Sequence, residues 1–294
     1  MIKTYSEEEV IASLVNWAKR TSSVSAMLLT STRAIPASGV DWLSDYDVIL
    51  IVRNIHPFNQ DRVWLQEFGD VLVSYWDPVY KDTVYNMEMV GNVIQYSDGL
   101  RIDFTLWPLG YFEQVIQDSR IIPELDAGYR VLYDKTSLTK KLPPATHKAY
   151  IPIKPSEEEF HNVIEDFYSD VPYAAKCLVR HELLPLKWCL DYDMKHLFLR
   201  KMLEWKFEIE CGWAQPVGAL GKGLTKKLES RIVSKLEETY VGAEVEENWE
   251  ALFATVALFK ETALEVASKL GYLYPETLHQ RVVEYARELR NHKG

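Results

Sequence analysis

The chain is poor in the residues that mark secreted, disulfide-stapled or zinc-finger proteins. Its three cysteines, Cys177, Cys189 and Cys211, form no C-x-x-C pair and no zinc spacing, so buried thiols in a reducing compartment are expected. Its seven histidines show neither H-E-x-x-H nor another paired metal spacing. Long apolar runs are lacking too, and no uninterrupted stretch reaches bilayer length. The opening MIKTYSEEEVIASLVNWAKR has an acidic cluster and a helical period in place of a secretory pattern. These features point to a cytoplasmic protein with no membrane partner. Positive charge is also short, with 33 Lys and Arg against 43 Asp and Glu and a formal net charge of −10. Phosphate backbones reward a basic footprint, so a general nucleic-acid binder is disfavoured. A polycationic small molecule suits the charge better.

What is present is an ordinary globular composition, 47% hydrophobic and 26% charged, in a length that accommodates one large domain or two. Ser6 with Glu9 is a capping-box pair, and Val10, Leu14, Val15 and Ala18 recur behind it at helical spacing, predicting a helix over 6–20. Strands are predicted at 24–29, 46–53 and 70–76, with a helix or turn near 59–68. Segments 92–97 and 101–107 flank Ser97-Asp98-Gly99, a hairpin signal. Four prolines in KLPPATHKAYIPIKPSEEEF mark a linker that ends in a second capping box, Ser156 with Glu159. Beyond 157 nearly every stretch has helical period. The expected fold class is α+β, a mixed sheet with helices over 1–148 followed by a helical bundle over 149–294.

The chemistry concentrates in three aspartates. In SDYDVILIV, Asp45 and Asp47 lie one residue apart at the head of an apolar strand and project from the same side. In GLRIDFTL, Arg101, Asp103 and Thr105 share one face, opposite the apolar Ile102, Phe104 and Leu106. Carboxylates held on half-buried strands are costly without a cation, and a pair of hard divalent ions such as Mg²⁺ is the economical partner. Upstream, the turn Thr30-Ser31-Thr32-Arg33 offers hydroxyls and backbone N–H groups to a phosphate, on the expectation that it enters a helix. The competing reading gives the acids only loop, strand-edge and Arg101-pairing roles. Turn, acid-x-acid and a third strand acid together have the layout of polymerase-β-like nucleotidyltransferases.

The resemblance narrows further. SVSAMLLTSTRAIPASGVDWLSDYDVILIV and DGLRIDFTLWPL, with KCLVRHELLPLKWCLDYDMKHLFLRKMLEWK and ENWEALFATVALFKETALEVASKLGYLYP, resemble the streptomycin (aminoglycoside) 6-adenylyltransferase family over nearly the whole chain. That resemblance implies Mg²⁺-dependent transfer of AMP from ATP to a hydroxyl of an aminoglycoside, with release of pyrophosphate. It also implies a nucleotidyltransferase domain followed by a helical domain that binds the acceptor. Asp45, Asp47 and Asp103 then become the metal-holding catalytic acids, and Ser31, Thr32 and Arg33 the nucleotide turn. One departure stands out: the family reads Gly-Ser-Arg where this chain has Ser31-Thr32-Arg33, and glycine permits close approach to phosphate.

Other features leave alternatives open. Asp103 and Glu88 are both candidates for the base that takes the acceptor's proton. Lys176, Arg180 and Lys187 follow at offsets of four and seven, either as one helical face reaching the β- and γ-phosphates or as a solvated stripe that Pro185 bends. GALGKGL around Lys222 fails as a P-loop, because Pro216 takes the first glycine's position and Leu224 follows Gly223. Trp76, Asp77, Glu88, Asp98, Asp191 and Glu204 are candidates by type for holding a guanidinium-bearing acceptor. Two further functions remain: a nucleotidyltransferase for a different hydroxyl, or a nucleotide-binding regulator whose altered turn has weakened catalysis. Oligomeric state is not legible in the periodicity.

Overall fold

Apolar alternation in the first half builds a seven-stranded mixed sheet, and helical period in the second half builds an all-helical unit. The expected α+β class is thus observed. The computed structural model describes residues 2–36, 39–118, 120–215 and 217–292. They divide into two compact units, Met1–Tyr150 and Ile151–Gly294.

In the first unit, α1 (Glu7–Arg20) starts at the predicted capping box, with Ser6 N–H donating to Glu9 at 2.9 Å and Glu9 N–H to the Ser6 hydroxyl at 3.2 Å. The strands are β1 (Val24–Thr30), β2 (Tyr46–Val52), β3 (Val71–Trp76), β4 (Tyr80–Lys81), β5 (Glu88–Tyr96), β6 (Arg101–Pro108) and β7 (Arg130–Asp134). Their order is β3-β5-β6-β2-β1-β7, with β4 pairing β5 beside β3. Among the described residues only β2 and β6 run parallel to each other, and their register sets Asp47 beside Asp103. Val48, Leu50, Ile102, Phe104 and Ile94 pack with Leu14 and Trp17 of α1 on one face of the sheet. Ile49, Ile51 and Trp107 pack with Phe112 of α3 (Leu109–Gln117) on the other.

The predicted hairpin forms between β5 and β6, with Gly99 at a φ of 100° in its turn. The region near 59–68 resolves into a short α2 (His56–Gln60) and a 3₁₀ stretch, Val63–Phe68. Strand β7 escaped the pattern reading because it is a short edge strand with no buried residue to mark its period. The other edge, β3, is predicted and present, and it leaves Leu72, Val73 and Tyr75 exposed.

In the second unit, α5 (Glu157–Val179) begins at the second capping box and is followed by α6 (Leu183–Lys187). A π-helical stretch, Trp188–Leu199, leads into α7 (Arg200–Glu210). Helices α8 (Ser230–Glu238), α9 (Val245–Leu270) and α10 (Glu276–Asn291) complete the unit. The first unit also holds α4 (Pro123–Asp126), a single helical turn before β7. Phe167 of α5 stacks on Phe259 of α9 with ring centres 3.7 Å apart, at the heart of a core that includes Phe160, Leu190, Met194 and Leu203. Among the described residues no helix is long and apolar enough to cross a membrane.

Candidate active site

The three predicted acids converge because two apolar strands that must be buried run parallel side by side. Asp47 and Asp103 are register partners on β2 and β6, so their side chains leave the same face of the sheet. Asp45 stands two residues before Asp47, at the mouth of β2. Burial pushes the Asp47 carboxyl above the ordinary carboxylate value, and the charges of Asp103 and Asp45 push the same way. A hydrogen bond from Ser31 and the charge of Arg101 pull it back. A carboxyl raised by burial and by the charges of its neighbours is one that a cation would stabilise.

Arg101 already supplies one such cation. Its Nε and Nη2 donate to the two oxygens of Asp103 at 3.1 and 3.0 Å, a bidentate pair, and Nε lies 3.4 Å from Asp45 Oδ2. The acids are hard oxygen donors on adjacent strands, the donor type that Mg²⁺ prefers. The fit for a divalent ion is therefore good in donor chemistry, with Asp45, Asp47 and Asp103 as the groups that would hold it.

A fourth carboxylate joins this face. Asp77 Oδ2 lies 2.6 Å from where a Cβ on Gly91 would stand, so the carboxylate occupies the space that a side chain at that position would take. Gly91 registers with Thr105, which shares a face with Asp103 two residues before it. Sequence reasoning named Asp77 only by residue type; the signal that places it is the glycine inside β5.

The turn after β1 differs from expectation in a specific way. Among the described residues no α-helix follows it: Ser31–Arg33 is a single 3₁₀ turn, closed by Ala34 N–H donating to the Ser31 carbonyl at 2.9 Å. Ser31 itself has a φ of 56°, in the left-handed region that favours glycine. The Ser31 side chain hydrogen-bonds Asp47, a contact that glycine cannot make. Thr30 holds the same strand residue from the other side, its hydroxyl donating to the Asp47 carbonyl at 3.3 Å.

Arg33 is committed to the protein. Its Nε donates to the Asp45 carbonyl at 3.0 Å and its Nη2 to the Ser44 carbonyl at 2.7 Å. Nη1 pairs with Glu7 at 3.1 Å, and the guanidinium lies 3.8 Å from the Tyr46 ring centre. With its side chain only 7% exposed, it acts as a clamp on the backbone that presents Asp45 and Asp47. Glu7, also paired with Arg130 at 2.5 Å, was not foreseen, because nothing local links it to a turn so far along the chain.

The basic stripe does not form one helical face. Helix α5 ends at Val179, Arg180 caps it, and His181 turns the chain with a φ of 56° before α6 begins. Lys176 is exposed, with Nζ 6.0 Å from the Tyr285 ring centre. Lys187 is engaged inside its own unit, donating to the Val241 carbonyl at 3.1 Å and to Asn248 at 3.3 Å, and pairing with Asp191 at 2.9 Å. Lys195 approaches Asp191 from the other side at 2.7 Å and also donates to the Thr239 carbonyl.

The remaining candidates scatter. Glu88 pairs with His56 at 2.9 Å and stands five residues along β5 from the partner of Asp103, roughly 17 Å away at strand rise. Asp98 accepts from Tyr5, Glu204 pairs with Arg200, and Arg62 stacks on Trp76 at 4.4 Å. In the GALGKGL loop, Gly221 and Gly223 are left-handed, and Pro216 lies outside the described residues. A separate group, Asp170, Cys189 and Asp193, brings its ligand atoms within 4.8 Å of one another in the helical unit. Burial and the charge of Asp193 push Asp170 up to about 6, and burial raises the Cys189 thiol, which contacts the Asp170 carbonyl at 3.6 Å.

Comparison with known proteins finds relatives along nearly the whole chain. A family model described as streptomycin adenylyltransferase matches residues 4–289. An aminoglycoside 6-adenylyltransferase of Campylobacter jejuni is 26% identical over 279 residues, covering 92% of this chain and 91% of that protein. One from Bacillus subtilis (strain 168) is 25% identical over 278 residues, covering 92% and 93%. A crystal structure of an aminoglycoside 6-adenyltransferase from Bacillus subtilis aligns with 98% of this chain and 100% of that chain, at 20% identity and a TM-score of 0.48.

Proposed function

The chain belongs to the streptomycin adenylyltransferase family, and from that premise we propose that it transfers AMP from ATP to a hydroxyl of streptomycin or a related aminoglycoside, dependent on Mg²⁺. The enzyme is an adenylyltransferase, and pyrophosphate is the leaving group. The observation that carries the reading is the register of β2 with β6, which sets Asp47 beside Asp103 with Asp45 at the strand mouth.

Attack of a hydroxyl on the α-phosphorus builds negative charge on the phosphoryl and pyrophosphate oxygens. Divalent ions supply Lewis-acid stabilisation of that charge when bound. Asp45 and Asp47 would hold such ions, and Asp103 would complete the donor set. Asp103 is also the base candidate that stands at the site, since Glu88 lies far along β5 in a pair with His56. Thr32 offers its hydroxyl, and the turn at Ser31 its backbone N–H groups, to the triphosphate, while Arg33 fixes the backbone that carries Asp45. Asp77 suits the cationic acceptor, because its carboxylate is seated on the same face and has no hydrogen-bonding or ion-pair partner among the described residues. A cytoplasmic location accords with ATP as co-substrate.

The test is pyrophosphate release from Mg²⁺–ATP against a panel of aminoglycosides. Turnover with streptomycin is expected, and Asp47→Asn should lower it on the order of a thousandfold. No turnover with any panel member would overturn the assignment. Equal rates in the two proteins would remove Asp47 from the mechanism.

A further inference from the structure

Arg101 is the one residue at the site whose contacts conflict with the role given to its neighbours. Its guanidinium covers both oxygens of Asp103 and reaches Asp45, the same carboxylates assigned to hold metal. We propose that Arg101 is a built-in counter-ion that competes with divalent metal for the aspartates and hands them over when nucleotide arrives. This rests on Asp45, Asp47 and Asp103 being the metal centre.

Three observations lead there. The contact is bidentate, so a metal ligated by Asp103 must share or displace at least one Arg101 hydrogen bond. The guanidinium is not locked by packing: the side chains of Arg101 and Asp45 are 39% and 36% exposed, and that of Asp103 is 20% exposed, so Arg101 can leave without opening the core. Arg101 also shares the strand face with Asp103, which keeps the released guanidinium at the site.

The displaced group has somewhere to go. A triphosphate brings more negative charge than its metals neutralise, and a guanidinium matches phosphate oxygens in a bidentate fork. Metal alone therefore meets a competitor, whereas metal with nucleotide gives that competitor a new partner. The two ligands are coupled through Arg101, and the coupling is reciprocal.

The experiment is a titration of the full chain with Mn²⁺, reading free ion by electron paramagnetic resonance, with and without a non-hydrolysable ATP analogue. Arg101→Leu should tighten Mn²⁺ binding without nucleotide, on the order of tenfold, by removing a like charge from the site. The analogue should then improve Mn²⁺ binding less in the variant than in wild type. Arg101→Lys should fall between the two, because an ammonium cannot cover both oxygens, and it carries the test if the leucine variant does not fold. A merely structural arginine would give the opposite sign, since its loss would loosen the site. Binding in Arg101→Leu that is equal to or weaker than wild type overturns the competition, as does Arg101→Lys equal to wild type should the leucine variant not fold. If none of the proteins binds Mn²⁺ with or without the analogue, the metal-centre reading falls as well.

Discussion

The two units handle charge in opposite ways. In the sheet unit, acids are stacked against each other on one face, with Asp47 pushed up by burial and by its neighbours. In the helical unit, ionic groups close on themselves: Asp191 lies between Lys187 and Lys195, and Lys206 contacts Glu210, Glu229 and Glu265. Net repulsion is left where a ligand can relieve it. Where pairs are complete, the ions serve the fold. The contrast teaches that a basic residue at suggestive spacing, such as Lys187, says little until its partners are known.

Breaking the helical side should have the largest effect. Lys195→Met removes an ammonium whose side chain is fully buried, leaving the Thr239 carbonyl without its donor and Asp191 with a single lysine. A loss of about 2–3 kcal/mol is expected in urea unfolding. A loss below about 0.5 kcal/mol would mean that the network is ornamental.

Asp170 is an exception that sharpens the contrast, an acid of the helical unit with no ion-pair partner among the described residues, and buried Glu208 is another. The folded pKa of Asp170, about 6, lies above the ordinary 3.8, so its favourable contribution is complete below about pH 4 and is lost as pH rises through 6. Asp170→Asn should therefore match wild-type stability at pH 4 and exceed it at pH 8, by about 1 kcal/mol for a half-buried group. Unfolding midpoints across that range measure it, and a pH-independent difference would refute it.

The smallest effect is expected on the sheet side. Ser31→Gly relieves a left-handed backbone worth about 1 kcal/mol, but it surrenders a hydrogen bond to Asp47 of similar worth. Stability should shift by less than about 0.5 kcal/mol, while the Asp47 carboxyl rises further. Chemical denaturation checks the first and carboxylate-resolved NMR titration the second. A fall in the Asp47 pKa would show that the serine does not stabilise the carboxylate.

Much of the site was legible because strand alternation is short-range: it puts Asp45 and Asp47, and likewise Arg101 and Asp103, on common faces without any fold. The parallel register that joins the two strands was not legible, since it depends on which strand neighbours which in the sheet. The role of Arg33 was hidden for a related reason. Its partners, Glu7, Tyr46 and two carbonyls, are assembled only by the fold. Lys187 misled because the helix break at His181 carries no glycine, and because two of its oxygen partners, beyond the local Asp191, come from the loop before α9 and the first turn of that helix. Within the helical unit both the class and the second capping box were readable, while the π-helical stretch left no mark in the hydrophobic period.

The bare edge of β3 has a practical consequence for handling the enzyme. Between Val71 and Trp76 there is no charged residue or proline to discourage another strand, and Leu72, Val73 and Tyr75 are open to solvent. At neutral pH the net charge of −10 keeps copies apart. Near the isoelectric point that colloidal protection disappears, and unsatisfied backbone groups beside apolar side chains are what colliding molecules meet. Precipitation on acidification should therefore begin at this edge, and a lysine at Val73 should delay it.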